Sequence, residues 1–356
     1  MFGLGMGLPY SVLFSVASEW FPKHRGLVVG IIAAGLGLGS LVFSPIQTAL
    51  INPHNIHDLA DPRVKDNLPR AFSILGGIML ALQVIGLCLC RERKKEIENE
   101  KRSDSTRLVS TSDLDESRDE EEQMEEMSNS TITQALRSAG FYIIFSIIFL
   151  DVIAVTIQSA TFKVFGKDCH LDDWFLTTIA TLSSAFNCIG RITWGFIIDK
   201  FSFKVPLNWM LVQWALLMAT FPIIGEASYI KVLYAIWVFG LFFTMAGHFV
   251  LMPAACTSCF GPKNMATIYG LLYLATAPSS LLLSAIISQF NIEGEWDTVY
   301  WSCAAVLSLG FVLSLFLKDQ TGACKTCSNI CAPCCPSSST EYSEIQIIDQ
   351  DEKDKI

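Results

Sequence analysis

The sequence predicts an all-α polytopic membrane protein, and three observations predict it. Hydrophobic residues make up 51% of the chain and charged residues 17%, against about 25% charge in a soluble domain. The charges gather in a few blocks and leave long stretches nearly bare. Those stretches reach the ~20 residues that a helix rising ~1.5 Å per residue needs to cross the hydrocarbon core. A mean hydropathy of +0.44 fits many spans better than a soluble enzyme with one large core. The net charge of −9 comes mostly from one acidic loop and the C-terminal tail, which argues against a nucleic-acid partner.

Nine runs qualify as spans: 2–20, 26–51, 69–90, 139–162, 174–198, 205–224, 229–252, 265–290 and 297–317. The first, within "MFGLGMGLPYSVLFSVASEW", lacks the basic n-region of a signal peptide and reads as a span. The second carries Gly30, Gly35, Gly37 and Gly39, a spacing of small residues that lets another helix approach the backbone. Residues 91–137, from "RERKKEIENEKR" to "SDLDESRDEEEQMEEMSNS", are charged, rich in Ser and Glu and without apolar periodicity. They read as a disordered or loosely helical cytoplasmic linker. The expected organisation is three spans in 1–90, the linker 91–137, six spans in 138–318 and a polar tail over 319–356.

The basic residues orient the chain. Assigning alternate gaps to one side places Lys23, Arg25, Arg91, Arg93, Lys94, Lys95, Lys200, Lys204, Lys263 and Lys318 together, and the positive-inside rule puts that side in the cytoplasm. Trp174, Trp296 and Trp301 then fall near the outer interface and Trp20 near the inner one. An odd number of spans puts Met1 outside and Ile356 inside. With a chain that opens directly in an apolar run, this leads to the expectation of an incomplete N-terminus.

Charged and polar residues inside spans mark the candidate site. "FNCIGRITWGFIIDK" places Arg191 about 10 Å from the cytoplasmic end of its helix, where a charge costs roughly 2.5–3.5 kcal/mol to insert. Such a residue faces a watery cavity or a partner, and two readings stay open: a structural Arg, or an anion site that uses the planar, permanently charged guanidinium. Asn187 lies one turn earlier on the same face; it either leaves the Arg charge to a ligand or bonds a neighbouring helix. Asp151 lies near the middle of its span, roughly 9–10 Å above Arg191 along the membrane normal. It is a candidate proton carrier or a protonated group bonded to a neighbouring helix. His248 is a second candidate proton site, or a packing residue.

The tail stretch "CKTCSNICAPCCP" holds Cys324, Cys327, Cys331, Cys334 and Cys335. Juxtamembrane cytoplasmic cysteines suit S-palmitoylation; unmodified thiols and zinc are the competing readings, with the three-residue gap between the pairs short for a zinc loop. No Ser/His/Asp arrangement, metalloprotease spacing or phosphate-cradling loop is found, so neither an enzyme, a cofactor nor a catalytic metal is expected.

Three motifs resemble the major facilitator superfamily, in its oxalate:formate antiporter and monocarboxylate transporter branch. "WFPKHRGLVVGIIAAGLGLGSLVFSPIQTALI" is similar to the fourth-to-fifth span region, "GRITWGFIIDKFSFK" to the eighth span and its loop, and "FGPKNMATIYGLLYLATA" to the entry into the eleventh span. The resemblance implies the major facilitator fold, with nine of the usual twelve spans supplied here and the first three absent. It implies that Arg191 binds a substrate carboxylate and that Gly195, Asp199, Lys200 and Lys204 form a cytoplasmic gating loop. Where oxalate transporters carry a second cation, a Lys in the eleventh span, this chain has Thr276, within "YLATAP". One cation suits one carboxylate, so a monocarboxylate is favoured over oxalate, with Tyr273 and Thr276 offering hydroxyls or serving helix packing. The expected function is secondary transport of a small organic anion by alternating access, with proton coupling or anion exchange. The alternatives are a non-transporting membrane protein (sensor, scaffold or fragment) and an oxalate/formate-type exchanger. Expected partners are the anion, a proton, the bilayer and an accessory membrane protein; the default location is the plasma membrane.

Overall fold

In a computed structural model the chain is described over residues 11–18, 20–21, 24–51, 62–89, 131–226, 229–289 and 294–317. Every regular element among them is helical. We number the helices α1 (residues 11–18), α2 (Arg25–Ile51), α3 (Pro62–Leu89), α4 (Ile132–Arg137), α5 (Ala139–Asp168), α6 (Asp173–Lys200), α7 (Lys204–Thr220), α8 (Ile230–Phe260), α9 (Met265–Tyr273), α10 (Thr276–Gln289) and α11 (Trp296–Leu315). A 3₁₀ turn, Pro222–Glu226, follows α7.

Among the described residues, seven helices or helix pairs are long and apolar enough to cross a membrane: α2, α3, α5, α7 with its 3₁₀ turn, α8, α9 with α10, and α11. The helix α6, with 28 residues, has the length for a crossing. Its Thr and Ser residues, Asn187 and Arg191 dilute the apolar run. Several helices outrun the apolar stretches that predicted them, because hydropathy marks the part in lipid and backbone hydrogen bonding continues past it. α5 extends to Asp168, α8 to Phe260, and α3 begins at Pro62.

Two expectations are refined. The run 265–290 is two helices, interrupted at Leu274 and Ala275. Pro278 accounts for the break: it has no N–H, and its ring clashes with the carbonyl four residues earlier, at Leu274. The chain tightens there, with Leu274 N–H donating to Leu271 O at 3.3 Å and Ala275 N–H to Leu272 O at 3.1 Å. The end of the expected linker is structured: Thr131 and Gln134 form a reciprocal capping box that starts α4, followed by Ser138, whose hydroxyl caps α5 at Phe141 N–H. Trp296 is 9% exposed and donates to Asp168 at 2.8 Å. Trp174, 80% exposed, and Trp301, 54% exposed, do present their rings outward. The linker up to residue 130 and the tail with Cys324, Cys327, Cys331, Cys334 and Cys335 lie outside the described residues.

The core lies among α5 to α11. Trp214, Tyr234, Phe221 and Tyr300 are fully buried, and each ring with a polar handle finds a partner, as burial demands. Tyr234 donates to Phe162 O at 2.7 Å, Tyr300 meets Thr161 at 2.9 Å and Trp214 donates to Gln158 Oε1 at 2.8 Å. Ser279 of α10 donates to Phe149 O of α5 at 2.7 Å, which fixes the second half of the broken span beside Asp151.

Candidate functional site

The helix α6 positions the site, because two of its faces are close-packed. On one face Gly190 lets α8 approach: a Cβ there would stand 2.7 Å from Phe243 O. Trp194 donates to that same carbonyl at 3.1 Å, and Asn187 Nδ2 donates to Phe242 O at 2.9 Å. On the other face α2 comes to backbone distance. A Cβ on Gly30 would stand 2.5 Å from Arg191 O, and one on Gly26 2.7 Å from Gly195 O. The glycine expectation for α2 is therefore met at Gly30 and Gly37 but not at Gly35 and Gly39, which face open space. Gly26, one turn before Gly30, completes the stripe.

Arg191 lies at the seam between these two faces and is 5% exposed. Its Nε donates to Asn187 Oδ1 at 3.0 Å, a pairing of residues one turn apart on a helix. Its NH1 donates to Ala33 O of α2 at 2.8 Å. Its guanidinium carbon lies 4.4 Å from the centre of the Phe249 ring of α8, the distance of a cation–π contact. An amide oxygen, a backbone carbonyl and a ring face thus orient the guanidinium. Asn187 bonds a neighbouring helix, one of its two sequence readings, and also accepts from the Arg.

Asp151 and His248, read from sequence as separate candidates, meet. His248 Nδ1 lies 2.8 Å from Asp151 Oδ2, joining α5 to α8. Asp151 is thus paired with an imidazole of α8, while Arg191 turns to α2. The side chains are 0% and 2% exposed, and Asp151 Oδ1 is buried without a hydrogen-bond partner. His248 and Phe249 are consecutive on α8, so one helix turns adjacent residues to the acid on one side and to the guanidinium on the other.

Tyr273, half-buried, ends α9, and Thr276, half-buried, begins α10. They flank the break in the span.

The expected gating loop is mostly helix. Gly195, Asp199 and Lys200 belong to α6 and Lys204 opens α7, which leaves only 201–203 as the turn. Asp199 accepts from the backbone N–H of Gly26 at 2.8 Å and of Leu27 at 2.9 Å. Its carboxylate thus caps the positive first turn of α2, where orphan donors and the helix dipole favour an anion. Lys204 does the converse for α11, donating to Leu315 O at 3.0 Å and Leu317 O at 2.8 Å. Lys200 lies 4.5 Å from the Phe196 ring centre. Among the buried polar residues that sequence reasoning missed is Gln158, 0% exposed, which bonds Trp214. A lone Gln inside an apolar run was the available signal.

With this geometry in hand, comparison with known proteins is informative. The model of the Major Facilitator Superfamily matches residues 1–282 and, in a second match, 144–323. Apicoplast pyruvate carrier 1 of Toxoplasma gondii is 29% identical over 341 residues, covering 86% of this chain and 62% of that protein. The oxalate:formate antiporter of Oxalobacter formigenes is 25% identical over 328 residues, covering 90% and 68%. Monocarboxylate transporter 12 of Mus musculus is 19% identical over 337 residues, covering 89% and 64%. The chain thus spans about two thirds of the length of these curated relatives. Among solved structures, the proton:xylose symporter XylE superposes with a TM-score of 0.59 at 15% identity, covering 89% of this chain and 69% of that one, a likeness of fold alone. The multi-pass helical architecture, the motifs around α2, α6 and α9, and the family match agree: the chain belongs to the Major Facilitator Superfamily, a family of transporters rather than enzymes.

Proposed function

We propose that the chain serves secondary transport of a small monocarboxylate by alternating access, with Arg191 as the group that binds the carboxylate. The observation that carries this reading is a buried guanidinium held by Asn187, the Ala33 carbonyl and the Phe249 ring. A cation so oriented, in low dielectric, attracts a carboxylate far more strongly than it would in water. Its planar fork offers paired donors to two oxygens. Two of the relatives are named for pyruvate and for oxalate and formate, which supports an organic anion as the class of substrate. Thr276 at the break between α9 and α10 contributes a hydroxyl where a dianion would need a second cation, so a single carboxylate fits better. In this reading Tyr273 and Thr276 offer hydroxyls to accompany it.

Rocking of one bundle against the other fits the α2–α6 contact. Arg191 donates across it, and Asp199 ties the end of α6 to the start of α2. In this reading Gly195 sets the closeness of the contact and Asp199 the latch, while Lys200 and Lys204 hold the adjoining helix ends. Uptake of labelled lactate, pyruvate, formate and oxalate into proteoliposomes tests the proposal. Arg191→Lys keeps the charge and loses the planar fork, and uptake is expected to fall by about tenfold or more. Normal uptake by Arg191→Lys overturns the paired-donor site. Oxalate carried as fast as pyruvate overturns the preference for one carboxylate. Fluorescent tagging of the full chain distinguishes the plasma membrane from an organelle membrane.

A further inference from the structure

We propose that Cys324, Cys327, Cys331, Cys334 and Cys335 are S-acylated at the cytoplasmic face of the membrane, and that the acyl chains tether the tail to the bilayer beside the end of α11. The inference is independent of the carrier reading. It rests on where α11 delivers the chain, on which other thiols the fold hides, and on the composition of the stretch that follows.

The end of α11 is pinned at the membrane surface. Lys204, the first residue of α7, donates to Leu315 O at 3.0 Å and to Leu317 O at 2.8 Å. Leu317 is buried, whereas Leu315 and Phe316 turn apolar side chains outward. α11 therefore ends beside Lys204, on the side where Lys200 and the other basic residues gather, which the positive-inside rule makes cytoplasmic. Cys324 follows Leu317 by seven residues. At a reach of at most ~3.5 Å per residue, it stays within about 25 Å of that anchor. Cys335, eleven residues further on, has the slack to fold back to the same surface.

The fold withholds most other thiols from the cytoplasmic face. Among the described residues Cys188, Cys256 and Cys303 are buried, and Cys169 follows α5 at the opposite side of the membrane. Cys88, exposed, and Cys259, half-buried, lie near the cytoplasmic ends of α3 and α8. Five of the chain's 12 cysteines, by contrast, fall together within residues 324–335. Between Asp319 and Glu341 the one charged residue is Lys325, although acids outnumber bases from Glu341 onward. The cysteine stretch is thus spared the negative charge that anionic headgroups repel. Juxtamembrane thiols in such a setting are acceptors for fatty acyl groups. One chain binds a membrane only marginally and two or more bind it stably, a condition that five thiols meet. Zinc fits less well. A structural site takes four ligands, which leaves one thiol over, and the last of the chain's 5 histidines is His248.

The acyl donor is a long-chain acyl thioester of coenzyme A, presented by a membrane acyltransferase of the cell. The cysteine sulfur attacks the thioester carbonyl carbon, a new S–C bond forms and the old one breaks. Coenzyme A leaves as its thiol with the proton the cysteine gives up, and nothing is oxidised or reduced. The spans already anchor the protein, so the acyl chains position the tail.

The full chain expressed in cultured eukaryotic cells tests the inference. Hydroxylamine releases the acyl groups, and each exposed thiol is tagged with a polyethylene-glycol maleimide that adds one step on a gel. The wild type is expected to show two or more steps. Changing all five tail cysteines to Ser is expected to remove them and to lower incorporation of alkyne-tagged palmitate about fivefold or more. If that variant is poorly made, Cys324→Ser with Cys327→Ser and Cys334→Ser with Cys335→Ser, as two separate variants, are each expected to lose steps. No steps in the wild type overturn the proposal. Steps that persist undiminished in the tail variants put the acyl groups on Cys88 or Cys259 and overturn it as well. Zinc bound one per chain in the purified wild type, lost in the tail variants and unaccompanied by hydroxylamine-released steps, replaces the proposal with a metal site. None of these readouts uses transport, so their outcome leaves the carrier reading to its own test.

Discussion

α2 and α3 are neighbours in the chain and both are long and apolar enough to cross a membrane, yet only α2 is packed into the bundle. α2 brings Gly26, Gly30 and Gly37 against the α6 backbone. α6 in turn holds α2 at two points, Asp199 on its first turn and Arg191 on the Ala33 carbonyl. α3 touches α2, through Asn67 donating to Ile51 O at 3.2 Å among other contacts. From Lys65 to Leu89 its one buried residue is Ala71, and Gly76, Gly77 and Gly86 have nothing near them. Hydropathy therefore decides that a segment resides in lipid, and small residues with polar anchors decide what it packs on.

The largest effect should come from forcing a side chain into the α2–α6 contact. Gly195→Leu puts a Cβ against the backbone carbonyl of Gly26, which cannot rotate away as a side chain tip would. We expect a loss of about 1–3 kcal/mol or more from overpacking, read as a lowered midpoint of thermal unfolding in detergent. Stability equal to that of wild type would mean that α2 and α6 do not approach at backbone distance.

Much of this was legible in the sequence, and the failures have physical causes. The helical segments followed from bare apolar runs, because a span must satisfy its own backbone. Arg191 stood out for the cost of burying a charge, and the small-residue stripe on α2 for its spacing. Which glycines face α6 was not legible: Gly35 and Gly39 are as small as Gly30 and Gly37, and only the rotation of α2 separates them. The Asp151–His248 pair was missed because its members lie 97 positions apart, on helices whose mutual rotation no periodicity fixes. The break after Tyr273 was written in Pro278, four residues past its carbonyl clash at Leu274, but apolar residues on both sides masked it. Asp199 was placed in a loop by the family resemblance, whereas it lies near the end of one helix and caps another.

A smaller effect is expected at the same contact from Asp199→Asn. One side-chain oxygen remains to accept from Gly26 or Leu27, while the second acceptor and the negative charge at the α2 N-terminus are lost. Capping and the helix dipole together put this at about 1 kcal/mol. The sharpest readout is amide hydrogen exchange at Gly26 and Leu27, which should accelerate about fivefold as the first turn of α2 frays. Unchanged exchange would mean that α6 does not hold the start of α2, and the latch would have to lie elsewhere.

The smallest effect should come from filling the open faces, and it is the control that gives the comparison its meaning. Gly35→Ala on α2 and Gly76→Ala on α3 each add one methyl where a Cβ meets nothing within 4 Å. No neighbour is displaced, and Ala is the better helix former in a helix interior. Each variant should therefore lie within about 0.5 kcal/mol of wild type, on the stable side if propensity is felt in the bilayer. Gly35 lies five residues past Gly30 and two before Gly37 on the same helix, so a loss at Gly35 alone, approaching that of Gly195→Leu, would mean that α2 is rotated from the orientation described. Equal indifference at both positions would establish that packing on α2 is confined to one stripe, the stripe on which Arg191 reaches the Ala33 carbonyl.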